Sequence, residues 1–388
     1  MSRQLNVHTL GQVFTPDAVV ERMLALRQRR GRSLDPAAGD GAFCTRINGC
    51  EAIEIDATVA PPDARVMDFF AYPVSEKFDT VIGNPPYVRQ QDIPPETVAR
   101  LDSALFDGRS NLCLYFIEKA VRHLRRGGEL IFIVPREFTK LTAARKLNTF
   151  LHAEGDITDF IELGDTRIFG AHNPNCAIFR FERGRHTRRL NDGRHFVLVD
   201  GQLMFLRGAY RLSLAALFDV KVGAVSGADE IFGHPEGNAE FVCSKTVDDG
   251  LTRRMIFGQS LSPQLLAHLE THKERLLGRR VRPFDESNWS HWGRLHHVST
   301  APRIYVNAKT RRSRPFFLHD CPNYDGSVLA LFPKVAGMDL QRATDLLNDA
   351  VDWEELGFVC DGRHLFSQRT LQNCLVPPQF EKLLRPAT

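Results

Sequence analysis

The chain has 388 residues, 43% of them hydrophobic and 25% charged, with a net charge of +3. This composition excludes a disordered or fibrous protein, and without a run of about 18 apolar residues or an apolar leader in residues 1–12 we expect a cytoplasmic protein with no membrane contact. The eight cysteines form no C-x-x-C pair, which argues against a zinc site, and we expect no bound metal.

The first half of the chain alternates short apolar segments with amphipathic ones. We predict strands at residues 33–35, 52–55, 65–67, 80–82, 129–135, 157–162 and 176–181. The spacing of apolar residues predicts helices at 111–126, ended by the glycines at 127 and 128, and at 137–152. This alternation predicts an α/β domain with a mostly parallel sheet and helices on both faces.

The pattern changes after about residue 185. A β-hairpin is predicted at 195–206 around Asp200 and Gly201, and later helices at 262–277 and 339–351 lie between irregular or strand-like segments. We place a domain boundary near residue 215, which gives domains of residues 1–215 and 216–388.

The most specific motif is Asn84-Pro85-Pro86-Tyr87, which follows the predicted strand at 80–82. The two prolines stiffen the turn and remove two N–H donors, so that carbonyl oxygens are displayed. The Asn84 side-chain oxygen and the Pro85 carbonyl can then both accept hydrogen bonds from one amino group, and Tyr87 offers a flat face to a base. The alternative interpretation is a turn with a purely structural role.

Three earlier strands also end in groups that suit a nucleoside. The first runs into Asp35-Pro36-Ala37-Ala38-Gly39-Asp40-Gly41, whose glycines allow close approach of the backbone to a ligand. The second ends near Glu54, Ile55 and Asp56, where a carboxylate can accept from ribose hydroxyls. The third ends at Asp68 and Phe69, an acceptor for an adenine amino group and a ring to cover it. The carboxyl ends of parallel strands meet at one edge, so these groups predict one pocket.

A basic segment lies in the predicted second domain. Residues 271–315 contain eleven Lys or Arg and three acids, together with Trp289, Trp292 and Tyr305. Cations interleaved with aromatic side chains favour a surface for nucleic acid. A solvated basic face without a partner is the alternative. The candidate DNA contacts are Arg279, Arg280, Arg282, Lys309, Arg311 and Arg312.

With these motifs in this order, the sequence resembles the adenine-N6 DNA methyltransferases of restriction–modification systems, particularly the TaqI-like and Eco57I-like group. The resemblance covers residues 11–182, from Gly11-Gln12-Val13-Phe14-Thr15-Pro16 onward. It implies the class I S-adenosylmethionine-dependent methyltransferase fold, a Rossmann-like sheet, followed by a C-terminal α+β target-recognition domain. It also implies methyl transfer from S-adenosylmethionine to a flipped adenine in double-stranded DNA.

The resemblance also implies roles for individual residues. Asn84, Pro85, Pro86 and Tyr87 form the catalytic loop, and Phe169, which has an ordinary loop aromatic as its alternative, stacks on the flipped base. The residues implied at the cofactor site are Phe14, Thr15, Pro16, Asp35, Pro36, Ala37, Gly39, Gly41, Glu54, Ile55, Asp68, Phe69 and Phe116.

Other functions stay open on the sequence. An Asn-Pro-Pro-Tyr loop also suits a protein glutamine, although the 170 or so residues after the sheet are the reverse of that family's layout. Methylation of RNA adenine and a catalytically inactive DNA-binding protein are the remaining alternatives. We expect a monomer or weak dimer, with a separately encoded restriction endonuclease as a possible partner.

Overall fold

The computed structural model describes residues 13–101, 104–106, 108, 110–164, 175–360 and 362–384. The chain divides into two compact units, Met1–Ala209 and Tyr210–Thr388. The division therefore falls between residues 209 and 210, whereas the predicted boundary is residue 215. Among the described residues, no helix combines the length and apolar character that crossing a membrane requires.

A seven-stranded sheet forms the centre of the first unit. Its strands lie in the order β3-β2-β1-β4-β5-β7-β6. Strands β1 to β5 pair in parallel, and β7 runs antiparallel to both of its neighbours. The strands are β1 (Ser33–Asp35), β2 (Cys50–Glu54), β3 (Arg65–Val66), β4 (Phe78–Gly83), β5 (Leu124–Pro135), β6 (Gly155–Glu162) and β7 (Cys176–Arg183).

Helices cover both faces of this sheet, as predicted. Alternate residues of β5 point to opposite faces, so Ile131 and Ile133 pack with Val20 of α1, whereas Phe132 and Val134 belong to the core that α3 and α4 cover. The helices are α1 (Asp17–Ala25), α2 (Pro95–Val98), α3 (Leu112–His123) and α4 (Arg145–Glu154). Short 3-10 turns lie at Cys44–Arg46, Phe69–Ala71, Gln90–Asp92, Arg136–Thr139 and Thr142–Ala144.

Two predicted helices differ from the structure. Helix α3 ends at His123 because Leu124 adopts an extended conformation, and Gly127 and Gly128 lie within β5 instead of ending the helix. The predicted helix at 137–152 begins only at Arg145, since Leu141 is extended and separates two 3-10 turns. In both places the extended residue is a leucine, a good helix former, so local propensity gave no sign of the break.

The end of the first unit is a β-hairpin, β8 (His195–Val199) and β9 (Gln202–Leu206), which pairs antiparallel as predicted. Asp200 and Gly201 form its turn with φ of 46° and 70°. Such positive values are typical of the two-residue turns that match the twist of a hairpin.

The second unit is an α+β structure around the antiparallel sheet β11-β17-β14-β16. The predicted helix at 262–277 consists of two helices, Pro263–Glu270 and Lys273–Leu277, and the predicted helix at 339–351 spans Leu340–Asp349. Its strands are β10 (Leu212–Ser213), β11 (Phe218–Val222), β12 (Ala239–Phe241), β13 (Arg253–Met255), β14 (Ile304–Asn307), β15 (Lys309–Thr310), β16 (Phe316–Leu318), β17 (Val328–Pro333), β18 (Val359–Cys360), β19 (Arg363–Leu365) and β20 (Leu375–Val376). Its helices are α5 (Leu214–Leu217), α6 (Asp229–Phe232), α7 (Thr246–Asp249), α8 (Pro263–Glu270), α9 (Lys273–Leu277), α10 (Leu340–Asp349) and α11 (Gln368–Gln372), with a 3-10 turn at Pro378–Leu384.

Candidate active site

Four neighbouring strands of the first unit end at one edge of the sheet. Because β3, β2, β1 and β4 are adjacent and parallel, their carboxyl ends lie side by side. Glu54 is the last residue of β2, Asp68 lies two residues after β3, and Asn84 directly follows β4. The carboxyl edge of an open α/β sheet is where such folds bind ligands.

A cavity of about 750 Å³, including its open mouth, lies at this edge. Its wall combines aromatic rings with a few polar groups, as the walls of small-molecule sites do. Eleven of the residues singled out in the sequence line it, nine from the cofactor set and two from the catalytic loop. They are Phe14, Pro36, Ala37, Gly39, Glu54, Ile55, Asp68, Phe69, Asn84, Pro86 and Phe116.

The Asn84 side chain has a fixed orientation. Its amide nitrogen donates to the Val13 carbonyl and to Thr15 Oγ1, each at 3.2 Å. A carbonyl can only accept, so the atom that faces Val13 is the nitrogen. Asn84 Oδ1 is therefore the acceptor left over; it is buried and receives no hydrogen bond within the described part of the chain. A buried acceptor without a donor is costly, and this atom is ready for a donor from a ligand.

Tyr87 packs into the fold more tightly than its predicted role required. Its hydroxyl donates to the Ile133 carbonyl at 2.8 Å, and the Cys176 thiol lies 3.8 Å from it. Burial raises the pKa of Tyr87 well above its ordinary value. Among the described residues, Pro85 and Tyr87 are not part of the cavity lining, whereas Pro86 is. The hydroxyl contact fixes the ring at the end of the catalytic loop.

Glu54 organises the glycine loop. Its two carboxylate oxygens accept from the backbone N–H groups of Gly39 at 2.8 Å and Asp56 at 3.0 Å. Gly39 has φ of 57°, and a Cβ there would lie 3.8 Å from the Phe14 ring. Each carboxylate oxygen has a second lone pair, so Glu54 can still accept from a ligand hydroxyl.

Asp68 lines the cavity and already has several donors. One oxygen accepts from Phe70 N at 2.8 Å, and the other from Thr97 Oγ1 at 3.0 Å and Arg100 Nη1 at 3.2 Å. The next residue, Phe69, lies 5.1 Å from Phe116 between ring centroids. These contacts tie the turn after β3 to α2 and give the cavity an aromatic wall.

Asp35 lies beneath the cavity wall. Its carboxyl group is fully buried, and this burial raises its pKa to about 8. A Cβ on Gly83 would lie 2.9 Å from Asp35 Oδ1, so the close approach of β4 to this carboxyl group requires glycine. Among the described residues, Thr15, Pro16, Asp35 and Gly41 belong to the predicted cofactor set but are not in the cavity lining.

Six lining residues were not singled out in the sequence. Met67 and Phe70 flank the predicted pair at 68 and 69, and Leu112 lies one helical turn before Phe116, so their spacing carried a signal. Val13 precedes the predicted Phe14, whereas Pro94 and Thr97 come from α2 and the residue before it, where no motif indicates a ligand site. Phe169 lies outside the described residues.

The three aromatic residues named in the basic segment are core residues, so they do not contribute rings to the predicted nucleic-acid surface. Trp289, Trp292 and Tyr305 are buried, and the Trp292 indole donates to the Ile256 carbonyl at 2.8 Å. Local sequence could not distinguish these buried rings from an interface, because both are apolar rings beside charged residues.

Arg279 is also placed inside the second unit, which corrects its prediction as a DNA contact. It is 8% exposed, and its guanidinium lies 3.8 Å from the centroid of the Phe284 ring. Its nitrogens donate to the carbonyls of Leu276, Ser226, Trp289 and His291 at 2.6 to 2.9 Å. All these contacts are internal, so Arg279 is a structural residue.

The other five candidate DNA contacts are exposed. Arg312 forms an ion pair with Asp248, and the Arg282 guanidinium lies 5.2 Å from the Phe284 ring centroid. Arg280, Lys309 and Arg311 are the other exposed members. Their exposure is compatible with phosphate contacts, which remain a prediction.

The residues that line this cavity fit a nucleoside-bearing ligand. The cavity offers a glycine-lined approach at Gly39, a carboxylate at Glu54, rings at Phe69 and Phe116, and the unused acceptor of Asn84. Across the residues described, no group of three or more His, Cys, Asp or Glu side chains is arranged to hold a metal ion.

Residues 51–169 match the family model described as Eco57I restriction-modification methylase. Over 208 residues, 48% of each chain, the sequence is 35% identical to the type II methyltransferase M.TthHB8I of Thermus thermophilus. It is 30% identical over 196 residues to M.HincII of Haemophilus influenzae, covering 47% of this chain and 39% of that one. The chain thus aligns with half or less of the length of these relatives, and the predicted resemblance to restriction–modification methyltransferases is confirmed.

The fold can also be compared with a solved structure over most of the chain. The type IIL restriction-modification enzyme MmeI, solved in complex with DNA, has a TM-score of 0.61 at 12% identity. The similarity covers 92% of this chain and 64% of that one. At 12% identity this similarity is evidence for the fold alone. Together with the strand order, it confirms the predicted Rossmann-like arrangement.

Proposed function

We propose that this chain, whose first unit has the class I S-adenosylmethionine-dependent methyltransferase fold, methylates the N6 amino nitrogen of an adenine flipped out of double-stranded DNA. The observation that carries the proposal is the buried and unused Oδ1 of Asn84 in the lining of the cavity. The names of its relatives, type II methyltransferases, support methylation, and the DNA in the MmeI structure supports DNA as the partner.

The cavity residues would hold S-adenosylmethionine. Glu54 would accept from the ribose hydroxyls, Phe69 and Phe116 would contact the adenine ring, and Gly39 would let the backbone approach the ligand. When bound, this cofactor supplies a methyl carbon on a positively charged sulfur. Phe14, beside Gly39, would close one side of the cavity.

Asn84 would act on the amino group of the target base. The lone pair of an aromatic amine is delocalised into its ring, so the amine is a weak nucleophile. With its nitrogen fixed on Val13 and Thr15, Asn84 presents Oδ1 to one N–H bond, and the Pro85 carbonyl would accept the other. Two acceptors out of the ring plane favour a pyramidal nitrogen whose lone pair would bond to the methyl carbon while the C–S bond breaks and its electron pair returns to sulfur. The nitrogen would then release its extra proton to water.

Tyr87 would form one face of the slot for the flipped adenine, with Phe169 as the other. Flipping costs a few kcal/mol in lost stacking and pairing, which contacts in the slot must offset. The hydroxyl of Tyr87 is held by Ile133, so its ring is already oriented before the base arrives. This preorganisation lowers the entropy cost of capturing the base.

The second unit would read the DNA sequence and hold phosphates through Arg280, Arg282, Lys309, Arg311 and Arg312. The description of the matching family model, a restriction-modification methylase, supports a modification role in which methylation would protect DNA from a separately encoded endonuclease. A protein glutamine or an RNA adenine would need the same acceptors at Asn84, so the substrate has to be tested directly.

The test is transfer of a tritiated methyl group from S-adenosylmethionine to unmethylated double-stranded DNA, to RNA and to protein extract. We expect label in the DNA alone, recovered as N6-methyladenine after digestion to nucleosides. Asn84→Ala should lose transfer at least about a hundredfold, as other deletions of a hydrogen-bonding group in an active site do, and still bind the cofactor. Label in RNA or protein, or full activity of Asn84→Ala, would refute the proposal.

A further inference from the structure

Lys119 is a buried cation that the proposed function does not use. It lies on α3, three residues after the cavity residue Phe116, and is 7% exposed. Its ammonium donates to the Phe70 carbonyl at 2.8 Å. Among the described residues, this hydrogen-bond partner is a backbone carbonyl rather than a carboxylate, which is unusual for a lysine away from solvent.

The ammonium also lies against the aromatic wall of the cavity. It is 5.0 Å from the centroid of the Phe69 ring and 5.6 Å from that of Phe70, both within the range of cation–π attraction. The same turn is held at its start, because Met67 N donates to the Glu54 carbonyl at 2.9 Å. Lys119 therefore ties the Phe69–Ala71 turn to α3, whereas Met67 ties its start to β2.

The charge on Lys119 is costly to the fold. Burial lowers the pKa of Lys119 to about 8, although the nearby carboxylates of Asp68 and Glu118 oppose this shift. His123 packs against Phe69 from the same helix, and burial, with a smaller contribution from the charge of Lys119, lowers the pKa of His123. An apolar side chain of similar length would avoid this cost but would leave the Phe70 carbonyl without its donor, so the two effects on stability oppose each other.

We infer that Lys119 is a positioning residue for the cofactor. Its ammonium holds the Phe69 ring in place, and thereby sets the position of the cavity wall that contacts the nucleoside. This inference rests on the proposed function. The nucleoside is common to S-adenosylmethionine and its demethylated product, S-adenosylhomocysteine, so Lys119 should affect the affinity for both equally. Methyl transfer at saturating cofactor should not depend on it.

The experiment measures calorimetric Kd values for both compounds and thermal melting of the full chain. Lys119→Met keeps the length of the side chain and removes the charge, and Lys146→Met on α4 is the matched control. We expect both Kd values to rise about tenfold in Lys119→Met, because a Phe69 ring that the ammonium no longer holds would lose part of its contact with the nucleoside. Its Tm should stay within about 4 °C of the wild type, because relief of the burial cost offsets the lost contact with the Phe70 carbonyl. The kcat should change less than twofold. Lys146→Met should bind both compounds like the wild type.

The pH dependence of the wild-type protein gives a second measurement. Lys119 loses its charge as pH rises through about 8, so the Kd of S-adenosylhomocysteine should increase there and should not do so in Lys119→Met. A Kd within twofold of wild type in the variant overturns the inference. A weaker Kd with a Tm lowered by more than about 4 °C also overturns it, because that pattern indicates a structural role. If the wild type itself binds neither compound, the proposed function fails instead.

Discussion

The amide nitrogen of Asn84 lies 3.2 Å from Thr15 Oγ1, which joins the end of β4 to a residue 69 positions earlier in the chain. Thr15 precedes α1, and among the described residues it is not part of the cavity lining. Its contact instead helps to hold the Asn84 amide in the orientation that the Val13 carbonyl dictates, with Oδ1 available to a ligand. The segment before α1 therefore contributes to the site by orienting another residue.

Thr15→Val should impair transfer more than binding. Valine keeps the shape and removes the acceptor, so the Asn84 amide loses one of its two fixed contacts and can rotate. One buried hydrogen bond is worth about 1 kcal/mol, so we expect kcat to fall about fivefold to tenfold. Steady-state kinetics with DNA, together with the Kd of S-adenosylmethionine, measures both effects.

Thr15→Ser is the control for this prediction, since it keeps the hydroxyl and should retain kcat within about twofold. If Thr15→Val retained full kcat, or if it lost cofactor affinity in proportion to kcat, Thr15 would not orient Asn84.

Gly83→Ala should disturb the site through packing. A Cβ at this position would lie 2.9 Å from Asp35 Oδ1 and 3.5 Å from Pro36, which also lines the cavity. Overpacking of this kind costs roughly 1–3 kcal/mol, so urea unfolding should show a loss of that size. Gly278→Ala, whose Cβ would lie 3.6 Å or more from the atoms around it, is the matched control. Equal stability of the two variants would contradict this explanation of Gly83.

Arg279→Met should destabilise the second unit. The change removes a guanidinium that donates to four carbonyls, which would be left without this donor. We expect a loss of about 3–5 kcal/mol in the free energy of unfolding, as for other broken buried networks. A stable Arg279→Met variant with weakened DNA binding would restore the original prediction of a DNA contact.

Lys309→Met should weaken DNA binding and leave stability unchanged, because Lys309 is exposed on β15. Stability should stay within about 0.5 kcal/mol, whereas DNA affinity should fall for all sequences. Loss of one phosphate contact should reduce the slope of log affinity against log salt by about one. Binding titrations at several salt concentrations test this, and an unchanged slope would remove Lys309 from the DNA surface.

Asp35→Asn should change how stability depends on pH. Burial raises the pKa of Asp35 from 3.8 to about 8, so the folded state binds this proton more tightly than the unfolded state does. The resulting stabilisation is complete below pH 3.8 and is lost as pH rises to about 8. The stability difference between Asp35→Asn and wild type should therefore grow in favour of the variant over this range. Parallel curves from urea unfolding between pH 5 and 8.5 would show that Asp35 ionises normally.

The sequence by itself determined the order of the strands along the chain and the chemical groups at their ends. Apolar runs mark β1, β2 and β4, and Glu54 and Asn84 follow from position alone, because the ends of parallel strands meet at one edge. The resemblance added the cofactor and the target base to these groups. These features are local in sequence, and a local pattern is sufficient to read them.

Only the tertiary structure decided which side chains are available. The contact of Asn84 with Thr15, the burial of Arg279 and the position of Trp292 in the core all depend on residues far apart in the chain. Arginine and tryptophan beside other basic residues look the same whether they face DNA or the interior. Burial and hydrogen-bond partners are properties of the packed chain, so neither spacing nor composition could supply them.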